Sequence, residues 1–74
     1  MTYLKWKNGR AYVYNSDGSY YGTYREYRFR RPCGGFQQLR KKGQMFTDAQ
    51  VAFLHKVDRA ARRWWNDRHP DRKC

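Results

Sequence analysis

No stretch of the 74-residue sequence approaches the roughly 18 consecutive apolar residues of a transmembrane helix, and none resembles the apolar core of a signal peptide. A membrane partner is therefore not expected. Cysteine is scarce: Cys33 and Cys74 stand far apart, with no CxxC pair. That usage sets the expectation of reduced thiols in a cytoplasmic chain. Cys33, His55, His69 and Cys74 supply metal-ligand types but lack the paired spacings of zinc sites, so no metal is expected. There is no carboxylate pair, no nucleophile beside a base and no metal triad, which points away from an enzyme and from any cofactor. Acidic residues are the most telling shortage. Six Asp and Glu face seventeen Lys and Arg, for a net charge of +11.

Self-repulsion at that density disfavours the compact state, so the excess is expected to serve a polyanionic partner. Nucleic acid comes first, an acidic protein surface second and anionic lipid third. Arginine outnumbers lysine eleven to six, and its planar fork suits phosphate and base edges. A chain this short makes one domain, which buries only about 60% of its unfolded surface. Three Trp, four Phe and seven Tyr nevertheless supply a small core, because aromatics bury much area per residue.

Asn8-Gly9, flanked by alternating residues, is a strong hairpin signal, since both central positions of a type I′ turn need φ > 0. A two-residue turn there sets Lys7 opposite Arg10, Trp6 opposite Ala11, Lys5 opposite Tyr12, Leu4 opposite Val13 and Tyr3 opposite Tyr14. Leu4, Trp6, Ala11 and Val13 then share a core face. The other face holds Tyr3, Lys5, Lys7, Arg10, Tyr12 and Tyr14. A second turn at Ser16–Ser19 sets Tyr14 opposite Tyr21, Val13 opposite Gly22, Tyr12 opposite Thr23, Ala11 opposite Tyr24 and Arg10 opposite Arg25. This adds Tyr21, Thr23 and Arg25 to the polar face and Tyr24 to the core; a bulged turn would shift the register by one. The third strand is expected to run from Tyr20 to about Phe29.

Pro32 and Gly34-Gly35 mark a loop, followed by a short helix over "FQQLRKKG" that stops at Gly43. Between Arg25 and Lys42, seven basic residues and one acid give a net +6. Thr47 and Gln50 have the form of a capping box, with Phe46 and Val51 at staple positions. From there to about Arg68 the periodicity is helical. Val51, Phe53, Leu54, Val57, Ala61, Trp64 and Trp65 form its apolar side, whereas His55, Lys56, Arg59, Arg62 and Arg63 form the other. Pro70 ends the helix. The expected architecture is α+β: a three-stranded antiparallel sheet (a meander over 3–30), a basic loop with a short helix (31–46), a long amphipathic helix packed on one sheet face (47–68) and a tail (69–74).

Lys5, Lys7, Arg10, Tyr12, Tyr14 and Arg25 are the candidate contact residues of an exposed ribbon, because interleaved Tyr and Arg suit phosphate contact and groove-edge hydrogen bonding. Arg28, Arg30, Arg31, Arg40, Lys41 and Lys42 are candidate phosphate clamps at one edge. The expected function is nucleic-acid binding. Duplex DNA leads RNA because the tyrosines spread across a flat ribbon that fits a B-DNA major groove about 12 Å wide. The alternative is a small inhibitor or adaptor, of a size and aromatic density that fit a phage-encoded protein. It would dock on an acidic protein surface such as a host nucleic-acid-binding groove, since Tyr and Arg are also enriched at interface hot spots. Oligomeric state is not legible in the sequence.

Two resemblances bear on these expectations. A three-stranded sheet backed by a helix resembles, in architecture only, the sheet-type DNA-binding domains of tyrosine-recombinase arms and AP2 factors, with no residue-level match. "VDRAARRWWNDRHPDRK", residues 57–73, resembles the second helix and HPD loop of J-domain co-chaperones, with His69-Pro70-Asp71 as the tripeptide. That resemblance implies contact with a seventy-kilodalton chaperone. It covers about a quarter of the chain, and strands stand where that family has its first helix.

Overall fold

Asn8 and Gly9 adopt φ of 52° and 73°, the left-handed pair that a type I′ hairpin requires. In the computed structural model, which describes residues 2–41 and 43–74, this turn joins β1 (Tyr3–Lys7) to β2 (Arg10–Tyr14). The register is the one read from the turn, from Lys7 opposite Arg10 to Tyr3 opposite Tyr14. β3 (Tyr20–Thr23) completes an antiparallel sheet of order β1-β2-β3. Leu4, Ala11 and Val13 are buried on its inner face, and Trp6 is half-buried there, edge-on to Phe46 and Phe53.

The second turn departs from the expected register. Asn15 N donates to Ser19 O, so the loop closes on Asn15 and Ser19, and Tyr14 pairs with Tyr20. The Asp17 carboxylate accepts from Ser19 N and Oγ, bonds that hold it below its ordinary pKa. Further along, Val13 still faces Gly22 and Tyr12 still faces Thr23, so a bulge between Val13 and Tyr14 absorbs one residue. The consequence is an exchange of faces. Tyr20 takes the outer position expected for Tyr21, and Tyr21 packs on the core with its ring 5.3 Å from that of Tyr27.

The third strand is also shorter than expected. It stops at Thr23, and α1 (Tyr24–Arg30) follows at once. Thr23 is its N-cap, accepting from Glu26 N through Oγ1 and donating to Glu26 Oε1, which ends the ladder by satisfying helical donors. Tyr24, Tyr27 and Arg28, at helical i, i+3, i+4 spacing, are the buried residues of α1. Beyond it, the expected two-turn helix is one 3₁₀ turn, Phe36–Leu39, which buries Phe36 and Leu39.

α2 (Asp48–Arg68) begins where the capping box places it. Gln50 N donates to Thr47 Oγ1, and Thr47 N donates to Gln50 Oε1. Leu54 and Val57 join Leu4, Ala11, Val13, Tyr24, Tyr27, Phe36 and Leu39 in a single core, with Phe46 and Val51 packed against it. α1 packs against β2, β3 and α2. The result is a two-layer α+β fold, with a sheet on one side and both helices on the other.

One polar cluster lies inside this core. Asp58 is 1% exposed and Arg28 2% exposed, with Arg28 Nε 2.8 Å from Asp58 Oδ1 but off the line of a good hydrogen bond. Tyr24 donates to the same oxygen at 2.5 Å. Arg28 Nη2 also donates to Gly34 O, and a Cβ on Gly34 would sit 3.0 Å from Arg28 Nη1. Burial, reinforced by the Asp58 hydrogen bond, pushes the Tyr24 phenol far above its ordinary pKa. Arg28, expected to clamp phosphate, is therefore enclosed and already paired.

The cysteines also depart from expectation. Cys33 and Cys74, 41 residues apart, form a disulfide with Cα atoms 5.2 Å apart. Pair-spacing rules cannot see this bond, because it depends on the tail folding back along α2. Trp65 Nε1 donates to Arg72 O, Cys74 N donates to Asn66 Oδ1, and the His69 ring stacks on Trp65 at 3.7 Å. Residues 69–74 thus form a hook, and the His69-Pro70-Asp71 tripeptide sits in a turn that leads into it.

Removing one member of the buried pair should be costly. Asp58→Ala is expected to lower unfolding free energy by about 3–5 kcal/mol, since it leaves the Arg28 guanidinium buried without its counter-charge; urea titration measures this. The raised Tyr24 pKa gives stability that is intact below about pH 10, the unfolded phenol's value, and lost as pH rises above it. Tyr24→Phe should flatten that alkaline loss relative to the parent. Opening the Cys33–Cys74 bond should cost up to roughly 4 kcal/mol on the chain-entropy estimate for such a loop, read as a lower urea midpoint in reductant.

Candidate nucleic-acid interface

Alternation along β1 and β2 turns Tyr3, Lys5, Lys7, Arg10, Tyr12 and Tyr14 away from the core. The sheet's outer face carries these residues together with Tyr20 and Thr23. Lys5, Lys7 and Arg10 are exposed, Tyr3, Tyr12 and Tyr14 are half-buried, and Tyr20 is 55% exposed.

The tyrosines form one continuous band. Tyr3 stacks on Tyr14 with centroids 5.9 Å apart and planes 20° from parallel. Tyr14 meets Tyr20 at 5.5 Å, and Tyr20 meets Tyr12 at 6.2 Å. Lys5 Nζ lies 4.8 Å from the Tyr14 centroid and 5.9 Å from that of Tyr3, within cation–π range. Lys41 Nζ approaches the Tyr3 ring from the loop side at 5.8 Å. Lys7, Asn8, Tyr12, Tyr14 and Tyr20 line a shallow depression of about 410 Å³. No strand residue on this face is acidic. Glu26, at the β3 border, and burial together raise the Tyr20 phenol pKa, burial being the larger cause. Positive charge is thus concentrated along β1 and at the first turn.

The structure brings together Lys5, Lys7, Arg10, Tyr12, Tyr14 and Lys41. Tyr20 is a member that the sequence reading missed; the sign of it was the possibility of a bulged second turn. Other candidates lie elsewhere. Arg25 lies in the first turn of α1 and packs over Phe29, with its guanidinium carbon 5.4 Å from the ring centroid. Arg30 and Arg31 lie over Tyr21 and Tyr27, rings of the core side. Arg40 is exposed at the end of the 3₁₀ turn. Lys42 lies outside the described residues. The expected single ribbon-and-clamp surface is therefore divided between the two layers. Its charges cannot all meet one straight partner.

No helix among the described residues is long and apolar enough to cross a membrane. Comparison with known proteins finds no family, no curated relative and no solved structure that matches the chain.

Proposed function

We propose that this is a small nucleic-acid-binding protein that contacts duplex DNA through the outer face of its sheet. The observation that carries this reading is an outer sheet face on which Lys5, Lys7, Arg10 and Lys41 surround a continuous tyrosine band, with no acidic strand residue. Such a face matches a phosphate backbone in charge, and its phenols can hydrogen-bond to phosphate or groove edges. The tyrosine rings already meet one another and the Lys5 ammonium. They form an amphipathic floor in place of free platforms for unstacked bases, which favours duplex over single strands.

The depression beside Tyr12, Tyr14 and Tyr20 favours a second reading, a docking face for an acidic protein surface, because tyrosines lining a shallow concavity suit an interface hot spot. In a reducing compartment the Cys33–Cys74 bond would be open. The tail would then be held by its hydrogen bonds and the Trp65–His69 stack.

Fluorescence anisotropy of labelled duplex DNA, single-stranded DNA and RNA over a salt series separates the readings. Four phosphate contacts predict a log-log salt slope of roughly −3 to −4, at about −0.9 per contact. Changing Lys5, Lys7 and Arg10 together to Gln should leave the fold intact and flatten that slope by roughly 2 to 3. Unaltered affinity in the folded variant would remove the sheet from the interface. Binding that vanishes at physiological salt with no preference among the three ligands would favour the protein partner.

A further inference from the structure

The cations outside the sheet face form a second array. Lys56, Arg59 and Arg63 share one narrow arc of α2, opposite the buried Leu54 and Ala61, and all three are exposed. Leu54 packs into the core whose other wall is the sheet's inner face. This arc therefore points away from the tyrosine band, across the full thickness of the two layers. The domain measures 37 × 27 × 20 Å between Cα atoms, so a straight duplex lying on one face cannot reach the other.

Two features set this arc apart from an ordinary solvated helix side. Lys56–Arg59 and Arg59–Arg63 are like-charge neighbours at i, i+3 and i, i+4, an arrangement that costs helix stability and that interleaved acids would relieve. Asp58 occupies this stretch but is turned inward, spent on Arg28. Among the described residues the Arg28–Asp58 contact is the one ion pair; Asp67, one turn beyond Arg63, is exposed but does not reach it, so the three outward cations have no carboxylate within ion-pair distance. Lys56 to Arg63 spans roughly 10 Å of helix, comparable to about three nucleotide steps of a duplex strand, each advancing about 3.4 Å along the duplex axis.

We propose that α2 is a second, independent nucleic-acid face, and that one monomer bridges two duplex segments, one on the sheet and one on the helix. This rests on the reading of the sheet face given above. The two faces are about two Debye lengths apart at physiological salt, so each should bind with little effect on the other.

The test mixes two short duplexes, one carrying a donor fluorophore and one an acceptor, with the full chain at physiological salt. Sedimentation run in parallel reports the protein's oligomeric state. Energy transfer between the duplexes by a monomeric protein is expected. Lys56→Gln/Arg59→Gln/Arg63→Gln should abolish transfer, yet leave anisotropy-measured affinity for one duplex within about threefold, because the distant sheet charges are screened from the change. Circular dichroism confirms that α2 is retained. Transfer that persists in the folded helix variant overturns the proposal, as does transfer that occurs only when the protein is dimeric. Binding of one duplex without transfer overturns bridging and leaves the sheet reading standing. Loss of all binding in the Lys5/Lys7/Arg10 variant would show that α2 does not bind by itself, which overturns its role as an independent face and leaves the sheet reading standing. Loss of all binding in the helix variant instead makes α2 the primary face and overturns both.

Discussion

The fold turns on a carboxylate withdrawn from solvent. Asp58 is enclosed between α2 and α1, and among the described residues the groups that compensate its charge are Arg28 and Tyr24, four residues apart on α1. Those two residues reach one carboxylate oxygen together only if α1 is helical through that stretch. The same contact draws the loop after α1 inward, because the Arg28 guanidinium also donates to Gly34 O. Cys33, adjacent to Gly34, is thereby held near the end of α2, within reach of Cys74. A buried ion pair is weak evidence for stability, since desolvation offsets much of its attraction. Here its main effect is to fix one geometry, that of α1 against α2, in a domain with few aliphatic residues to specify it.

That arrangement also shapes the exterior. Enclosing Asp58 removes from the surface the carboxylate nearest in sequence to Lys56 and Arg59, while Arg28 leaves the surface with it. The remaining cations fall into two sets because the fold has two layers, one on the sheet and one on the helix. Several others are held over aromatic rings: Arg25 over Phe29, Arg30 over Tyr21, Arg31 over Tyr27 and Arg68 over Trp64. Their stems cover apolar surface while the charge stays at its rim. Arg30 reaches from α1 to a strand ring, while the other three cover rings of the helices themselves, which gives all four a structural role beyond their charge.

What the sequence made legible follows the strength of local rules. The Asn8-Gly9 turn fixes the register of both strands it joins, so the two faces of the first hairpin were readable residue by residue. The Thr47/Gln50 box did the same for the start of α2. α1 was obscured because "YYGTYREYRF" is rich in aromatic residues of high β-propensity. Its helical signals, Thr23 followed by Glu26 and the 24/27/28 spacing, occupy less than two turns. The bulge that exchanges Tyr20 for Tyr21 leaves no local trace beyond a turn able to close in two ways. Arg28 is indistinguishable by type from its exposed neighbours, and only the packing of α1 on α2 shows it to be internal. The disulfide joins residues 41 apart and was outside any local pattern.

The exposed charge has an energetic consequence that links the fold to its partner. In the free protein, cations gathered on the sheet face and along α2 repel one another, so the folded state is opposed by the same groups to which the proposed function assigns affinity. A polyanion relieves that repulsion only where the cations form an array, and such arrays exist only in the folded chain. Tyr3, Tyr14 and Lys5 converge through strand pairing, and Lys56, Arg59 and Arg63 align through helix periodicity. Binding and folding are therefore coupled: a ligand that prefers the native arrays over the unfolded chain must stabilise the native state. A neutral fold of this size would be more stable alone and would lose that coupling. The shortage of acids weakens the free domain, and under the proposed function it reserves part of that domain's stability for the complex.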